Sequence, residues 1–284
     1  MSARDLDLAL PSGRLRARDH GGDERSLALC VPGLSANARW FEALAVALGE
    51  SARVVALDLR GRGHSQVTPP GTYGWEAHAR DIFAAADALG AERFALIGHS
   101  MGAFVAMQAA ALDERNRIGR LALIDGLGVP HPDAVAAIVR GLGRLEGAFA
   151  STGEYVAAIR EAGLAKPWSA FWEGCYRYEI ADVPGGVAAR TSRDAVAEDL
   201  AFGAAHDVRA LWPSLTMPVL ALRASVPLAG DKGFIVTAAD RDAFARAVAR
   251  ASVVEIPANH FGIVAHADTA AAIARFLAVE SVAR

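Results

Sequence analysis

The chain has 284 residues, of which 53% are hydrophobic and 21% are charged, so it can bury the core of one large domain or two smaller ones. Its net charge of −3, without a basic cluster, argues against a nucleic-acid partner. Because no apolar run reaches the ~18 residues of a membrane span, the N-terminus has no secretory signal, and neither Cys30 nor Cys175 has metal-ligand spacing, we expect a cytoplasmic protein with reduced thiols and no membrane partner.

Short apolar runs typical of β-strands alternate with Ala-rich helical runs along most of the chain. The first two runs alternate apolar and polar residues and are joined by Pro11-Ser12-Gly13, which predicts a hairpin. In chain order, the predicted strands are 6–10, 14–19, 26–33, 52–61, 93–98, 120–125, 218–224 and 252–257, and the predicted helices are 40–48, 75–89, 101–112, 240–250 and 269–279. This order predicts an α/β fold with a mostly parallel sheet covered by helices on both faces.

The regular alternation stops between Val129 and Pro213. This segment has a helical pattern and no convincing strand, so we predict a helical cap (129–213) inserted into a core domain formed by residues 1–128 and 214–284. The segment also holds a cluster of aromatic residues, namely Trp168, Phe171, Trp172, Tyr176 and Tyr178. We expect Trp168, Trp172 and Tyr176 to contact an apolar substrate, with packing inside the cap as the alternative.

The pentapeptide Gly98-His99-Ser100-Met101-Gly102 lies between a predicted strand and a predicted helix. This G-x-S-x-G pattern in a strand–turn–helix context is typical of a nucleophile elbow, in which a strained backbone projects the serine oxygen above the sheet. The N-terminus of the following helix directs N–H groups at the same point. We therefore predict that Ser100 is a nucleophile and that the N–H of Met101 stabilises an oxyanion, with a structural glycine turn as the alternative.

A serine nucleophile requires a histidine base, and on this kind of sheet the chain order is serine, acid, histidine. His260 follows the last predicted strand, so it would lie on a loop at the carboxyl edge of the sheet. The other histidines fit less well, because they precede Ser100, lie in the predicted cap or lie beside the final helix. His260 is therefore the predicted base, with a buried structural histidine as the alternative.

Taken together, six motifs resemble the α/β-hydrolase superfamily across nearly the whole chain. They are "VPGLSANARWF" (31–41), "VVALDLRGRGHS" (54–65), "LIGHSMGA" (96–103), "LALID" (121–125), "MPVLALRA" (217–224) and "VVEIPANHFGI" (253–263). The resemblance implies an α/β-hydrolase fold with an eight-stranded sheet and a helical cap after the sixth strand. It also implies a second oxyanion donor in the turn after the third strand, usually in a His-Gly-x motif. Pro32 replaces that histidine here, and the resemblance assigns the donor to the N–H of Leu34.

The acid of the triad is the part of the resemblance that the sequence leaves open. Most members carry it shortly after the seventh strand, where this chain reads "ASVP" (224–227) and the nearest carboxylate is Asp231. Asp240, further along, matches the N-cap of a helix instead. Several branches take the acid from the end of the sixth strand, where this chain has Asp125. A strand end is a more rigid platform than the loop at 225–235, so we favour Asp125, with Asp231 as the alternative.

The resemblance and the predicted triad imply a serine hydrolase that cleaves a carboxylic ester or lactone through an acyl-enzyme, without a metal or organic cofactor. The expected partner is a small hydrophobic ester or lactone, and the protein is expected to be a monomer or a homodimer. The fold alone does not fix the reaction. The alternatives are a carbon–carbon bond hydrolase of a diketone-like ring-cleavage product and a receptor that binds a small ligand on a hydrolase scaffold.

Overall fold

Residues 4–124 alternate between strands and helices as the sequence predicts. In the computed structural model, which describes residues 3–278, these elements are β1 (Arg4–Leu10), β2 (Gly13–Asp19), β3 (Leu27–Val31), α1 (Glu42–Leu48), β4 (Arg53–Leu57), α2 (Trp75–Ala88), β5 (Phe94–His99), α3 (Met101–Ala111) and β6 (Ile118–Ile124). A short 3₁₀ helix, Ala38–Phe41, precedes α1. β1 and β2 form the predicted hairpin, with Leu10 paired to Gly13.

The segment after β6 contains four α-helices and three short strands within the described residues. They are α4 (Pro132–Gly141), β7 (Ala148–Phe149), α5 (Thr152–Ala162), α6 (Ala170–Tyr178), β8 (Ile180–Val183), β9 (Gly186–Ala189) and α7 (Arg193–Ala205). The strands pair antiparallel in the order β7-β9-β8, so the prediction of no strand in this segment is wrong. Strands of two to four residues are too short to establish an alternating pattern in the sequence. Their one visible signal is the turn at Pro184-Gly185 between β8 and β9.

The chain then returns to the main sheet with β10 (Val219–Ala224), α8 (Ala238–Ala247), β11 (Ala251–Ile256) and α9 (Ala267–Ala278). The predicted N-cap of α8 is wrong by one turn: Thr237 caps the helix and its side chain accepts from the Asp240 N–H. Threonine is a favoured N-cap residue, so the local chemistry explains the shift. Val279, the last residue of the final predicted helix, lies outside the described residues.

The main sheet has eight strands in the order β1-β2-β4-β3-β5-β6-β10-β11. β2 is antiparallel to both neighbours, and the other pairs, from β4 to β11, are parallel. Helices cover both faces of the sheet. Successive residues of β3 therefore lie in two separate apolar clusters, with Leu29 in the cluster on one face and Cys30 in the cluster on the other. No helix within residues 3–278 is long and apolar enough to cross a membrane. This architecture is the predicted mostly parallel eight-stranded sheet.

The register of the parallel strands determines where the site lies. His99 at the end of β5 pairs with Ile124 at the end of β6, and Ala224 at the end of β10 pairs with Ile256 at the end of β11. The loops that follow these strands therefore leave the sheet at one edge. In open α/β sheets this carboxyl edge is where ligands bind.

Candidate active site

Ser100 occupies the turn between β5 and α3 in a strained conformation, with φ 57° and ψ −124°. The turn requires glycines on both sides. A Cβ on Gly98 would lie 2.2 Å from the carbonyl oxygen of Gly102, and a Cβ on Gly102 would lie 2.1 Å from that of Val31. The G-x-S-x-G spacing is therefore a steric requirement, since any larger residue would separate β3, β5 and α3.

His260 lies in the loop after β11, with its imidazole between Ser100 and Asp125. Its Nε2 is 2.9 Å from Ser100 Oγ and its Nδ1 is 2.8 Å from Asp125 Oδ2. The histidine and the aspartate are only 3% and 1% exposed, respectively. With Nδ1–H donated to the carboxylate, Nε2 has a free lone pair that accepts the Ser100 hydroxyl proton. The structure thus brings together the residue types of a nucleophile, a base and an orienting acid.

Asp125 is the carboxylate that the structure places at the imidazole. It directly follows β6 with φ 46°, and its second oxygen, Oδ1, accepts from the Ala224 N–H at 3.0 Å. Asp231, the alternative, is exposed on a turn closed by a bridge between Ala229 and Gly233. The turn is closed on itself, and among the described residues the carboxylate bonded to His260 Nδ1 is that of Asp125.

Leu34 and Met101 line the same cavity as Ser100. Neither N–H donates to another group within residues 3–278, so both remain available to a ligand. The approach of the loop to the serine is close, because a Cβ on Gly33 would lie 3.1 Å from Ser100 Cβ. Two backbone donors that converge next to a nucleophile are the arrangement that stabilises a tetrahedral oxyanion.

His99 is a residue of the site that the sequence analysis did not use. Its ring stacks on His260 at 4.7 Å, and its Nε2 donates to the His260 carbonyl oxygen at 3.0 Å. Burial, with the nearby His260 as a smaller cause, lowers the pKa of His99 well below its usual value, so its ring is neutral. His99 therefore fixes the backbone of the loop that carries His260. The sequence signal that could have indicated this contact is the position of His99 as the last residue of β5, at the same sheet edge where β11 ends.

A cavity of about 540 Å³ opens above Ser100. Most of its wall is apolar, with Leu34, Trp75, Met101, Phe104, Ile138 and Ile235 among the lining residues. The end of α7 and the following turn add polar groups: Asp199, His206, Asp207 and Arg209. The volume falls in the range of small-molecule sites.

The aromatic residues predicted to bind substrate do not line this cavity, which corrects the sequence-based assignment. Trp172 and Tyr176 are buried and Trp168 is half-buried. Trp172 packs against Trp40 with ring centroids 5.0 Å apart, and Trp168 stacks on Tyr176 at 6.0 Å. They form the apolar layer between this segment and the sheet. Tyr176 lines a smaller neighbouring cavity of about 250 Å³.

Among the described residues, neither a metal site nor a reactive cysteine accompanies Ser100. No set of three His, Cys, Asp or Glu side chains within 3–278 is placed to hold a metal ion. Cys30 and Cys175 are both buried and unpaired, and burial raises the pKa of each thiol. Neither thiol is therefore a ready nucleophile.

Comparisons with known proteins agree with this fold. A sequence model of the alpha/beta hydrolase fold matches residues 29–267. The chain is 42% identical over 106 residues to the N-formylmaleamate deformylase of Pseudomonas putida, covering 37% of this chain and 39% of that one. It is 34% identical over 109 residues to the putative carbamate hydrolase RutD of Caulobacter segnis, covering 38% and 40%. The matched stretch thus spans about two fifths of each relative.

Among solved structures, that of E-2-(acetamidomethylene)succinate hydrolase superposes with a TM-score of 0.86 at 23% identity, over 97% of this chain and 99% of that one. At this identity the likeness establishes the fold. The family match covers most of the chain, from β3 to the start of α9, and includes Ser100, Leu34 and Met101. The chain therefore belongs to the alpha/beta hydrolase fold family.

Proposed function

We propose that this protein is a serine hydrolase that transfers the acyl group of a carboxylic ester or lactone to water through an acyl-enzyme on Ser100. One observation carries the proposal: the continuous hydrogen-bonded chain from Ser100 Oγ through His260 to Asp125, located under an apolar cavity. In this assignment His260 is the general base and Asp125 orients it. The segment 129–213 acts as the cap that closes the cavity.

The reaction follows from the proton positions. His260 Nε2 takes the hydroxyl proton as Ser100 Oγ attacks the substrate carbonyl, and Asp125 remains ionised and stabilises the imidazolium. The oxyanion accepts hydrogen bonds from the Leu34 and Met101 amides, each typically worth ~3 kcal/mol in the transition state. His260 then donates its proton to the leaving alkoxide. A water molecule, deprotonated by the same nitrogen, hydrolyses the acyl-enzyme and regenerates Ser100.

The wall of the cavity favours an apolar substrate. Phe104, Ile138 and Ile235 contribute hydrophobic surface. The cation of the wall, Arg209, is engaged by Asp207 at 2.7 Å and faces Asp240 at 3.6 Å. A carboxylate on the substrate would have to compete with these aspartates. We therefore propose a small to medium-sized ester or lactone without a charged acyl group.

Hydrolysis of an amide-type C–N bond is the second candidate, because the N-formylmaleamate deformylase is 42% identical across its matched 106 residues. The same triad serves both reactions. An amide differs in needing His260 to protonate the leaving nitrogen before the C–N bond breaks. The carbon–carbon hydrolase and the receptor remain further outcomes of the same test.

The test is a hydrolysis screen of the wild type against p-nitrophenyl esters, lactones, N-formyl amides and a vinylogous diketone. We expect turnover of esters or lactones, and loss of that turnover in Ser100→Ala. The matched control is Ser225→Ala, because the Ser225 hydroxyl bonds to the Ile256 carbonyl oxygen outside the cavity. Turnover restricted to formyl amides or to the diketone would replace the ester assignment. Full activity in Ser100→Ala would exclude the serine mechanism.

A further inference from the structure

The loop that carries the proposed oxyanion donor Leu34, residues 33–36 (the oxyanion loop), is held by two buried arginines. Arg62 Nε donates to the Leu34 carbonyl oxygen at 3.0 Å. Arg144 Nη2 donates to the Ser35 carbonyl oxygen at 2.9 Å. Arg62 is fully buried and the Arg144 side chain is only 10% exposed, so both guanidinium groups act in a low-dielectric interior.

These bonds reach the donor N–H through successive peptide planes. The Ser35 carbonyl shares a plane with the Ala36 N–H, because each peptide unit is rigid. That N–H donates to the Gly33 carbonyl oxygen at 3.2 Å. The Gly33 carbonyl shares its plane with the Leu34 N–H, which is the donor itself. Arg144 therefore orients the donor plane through one intervening hydrogen bond, and Arg62 holds the plane between the two.

Arg62 belongs to the core domain and Arg144 to the segment 129–213, and each is paired with a carboxylate of that segment. Arg62 Nη2 is 2.6 Å from Asp199 Oδ2 on α7, and Arg144 Nε is 2.8 Å from Glu179 Oε1 at the end of α6. Asp199 and Glu179 are themselves buried, at 1% and 0% exposure. A buried charge left without its partner is strongly destabilising, so Arg62 keeps its place only while this segment is docked. Arg144 stays paired with Glu179 inside the segment, and it reaches the Ser35 carbonyl oxygen only when the segment is docked on the core.

We propose that Arg62 and Arg144 are positioning residues that orient the Leu34 N–H toward the oxyanion. The docked cap assembles this half of the oxyanion hole through Asp199, which holds Arg62, and through Arg144, which Glu179 holds. The inference rests on the proposed serine hydrolase function. It adds two residues outside the triad whose effect is confined to the transition state. It also gives a reason why the cap is needed beyond enclosing the substrate.

The test compares Arg62→Met and Arg144→Met with Arg117→Met. Arg117 is the matched control, since its buried guanidinium also donates to backbone carbonyls, those of Ala91 and Glu92, away from the cavity. Further variants are used if a single Met variant does not fold. Arg62→Lys keeps a cation beside Asp199, whereas the paired variants Arg62→Met/Asp199→Asn and Arg144→Met/Glu179→Gln remove the carboxylate that would be left unpaired. Folding is checked by circular dichroism, and active sites are counted by fluorophosphonate titration.

We expect each Met variant to lower kcat per active site about 10–100-fold, with KM changed much less, because a displaced donor acts only in the transition state. Inhibition by phenylboronic acid, which forms a tetrahedral adduct with serine, should weaken by a similar factor. The pH at which kcat/KM rises should stay at the wild-type value, since the triad is untouched. Arg117→Met should retain wild-type kcat and inhibition.

Wild-type kcat and boronate inhibition in the Arg62 and Arg144 variants would overturn the inference while leaving the proposed function intact. A loss equal to that of Arg117→Met, or a fall only in the titrated number of active sites, would assign the arginines a general structural role and also overturn it. If the wild type turns over no ester, lactone or formyl amide, the proposed function fails first and this inference fails with it.

Discussion

Replacing Asp125 by asparagine tests the least predictable member of the proposed triad. Asp125 Oδ1 accepts from the Ala224 N–H at 3.0 Å, while Oδ2 accepts from His260 Nδ1 at 2.8 Å. In Asp125→Asn the amide oxygen must stay on the Ala224 N–H, since the amide nitrogen cannot accept. The new NH₂ group then faces Nδ1 and forces the imidazole proton onto Nε2. That tautomer cannot accept the Ser100 proton.

We therefore expect kcat to fall about 10⁴-fold, equivalent to about 5 kcal/mol of transition-state stabilisation, with little change in KM. The measurement is kcat/KM for the best ester of the screen, at equal concentrations of folded protein. Asp231→Asn is the matched control and should keep wild-type kinetics, because Asp231 is exposed and is not one of the described residues that line the cavity. A large loss in Asp231→Asn with activity preserved in Asp125→Asn would refute the assignment.

Three further predictions concern packing, specificity and pH. Gly102→Ala places a Cβ 2.1 Å from the Val31 carbonyl oxygen, so urea unfolding should register a loss of about 1–3 kcal/mol together with lost activity, whereas Gly143→Ala, which meets open space, should be neutral. Phe104→Ala, which enlarges the cavity, should shift kcat/KM toward longer acyl chains in a p-nitrophenyl ester series. Trp172→Ala should lower the free energy of unfolding by about 3–5 kcal/mol without changing that chain-length preference. A change of preference in Trp172→Ala and none in Phe104→Ala would restore Trp172 as a substrate contact. Burial lowers the pKa of both His78 and His99, so below pH ~6.5 the unfolded chain binds more protons than the folded one. The free energy of unfolding should therefore fall as the pH decreases through this range, by up to about 1.4 kcal/mol per pH unit for each histidine. His99→Gln should reduce that slope in urea titrations; an unchanged slope would contradict a neutral, buried His99.

The parallel sheet and the elbow were predictable because their signals are local. β3 to β6 each contain a run of apolar residues bounded by turn residues, which is how strands buried on both faces read in sequence. The elbow is set by sterics among Gly98, Ser100 and Gly102, neighbours in the chain. The boundaries of the main-sheet strands agree with the prediction to within two residues, except that β4 ends at Leu57 and not at the predicted Gly61.

The rest of the site depends on contacts between distant parts of the chain. Asp125 and Asp231 both follow sheet strands, and the feature that distinguishes them is the closed turn at Ala229–Gly233, which contains the exposed Asp231. Arg62 meets Asp199 across 137 positions of sequence, so no local pattern predicts the support of the oxyanion loop. The aromatic cluster was assigned to the substrate pocket because tryptophan and tyrosine are common in such pockets, but Trp172 is buried in the core.

The central claim, that Ser100 forms the acyl-enzyme, is tested most directly by mass spectrometry of the protein quenched during turnover of a p-nitrophenyl ester. The account predicts a mass increase equal to the acyl group, localised to the peptide that contains Ser100 and missing in Ser100→Ala. Steady turnover with the acyl group on a different residue, or with undiminished rate in Ser100→Ala, would contradict it.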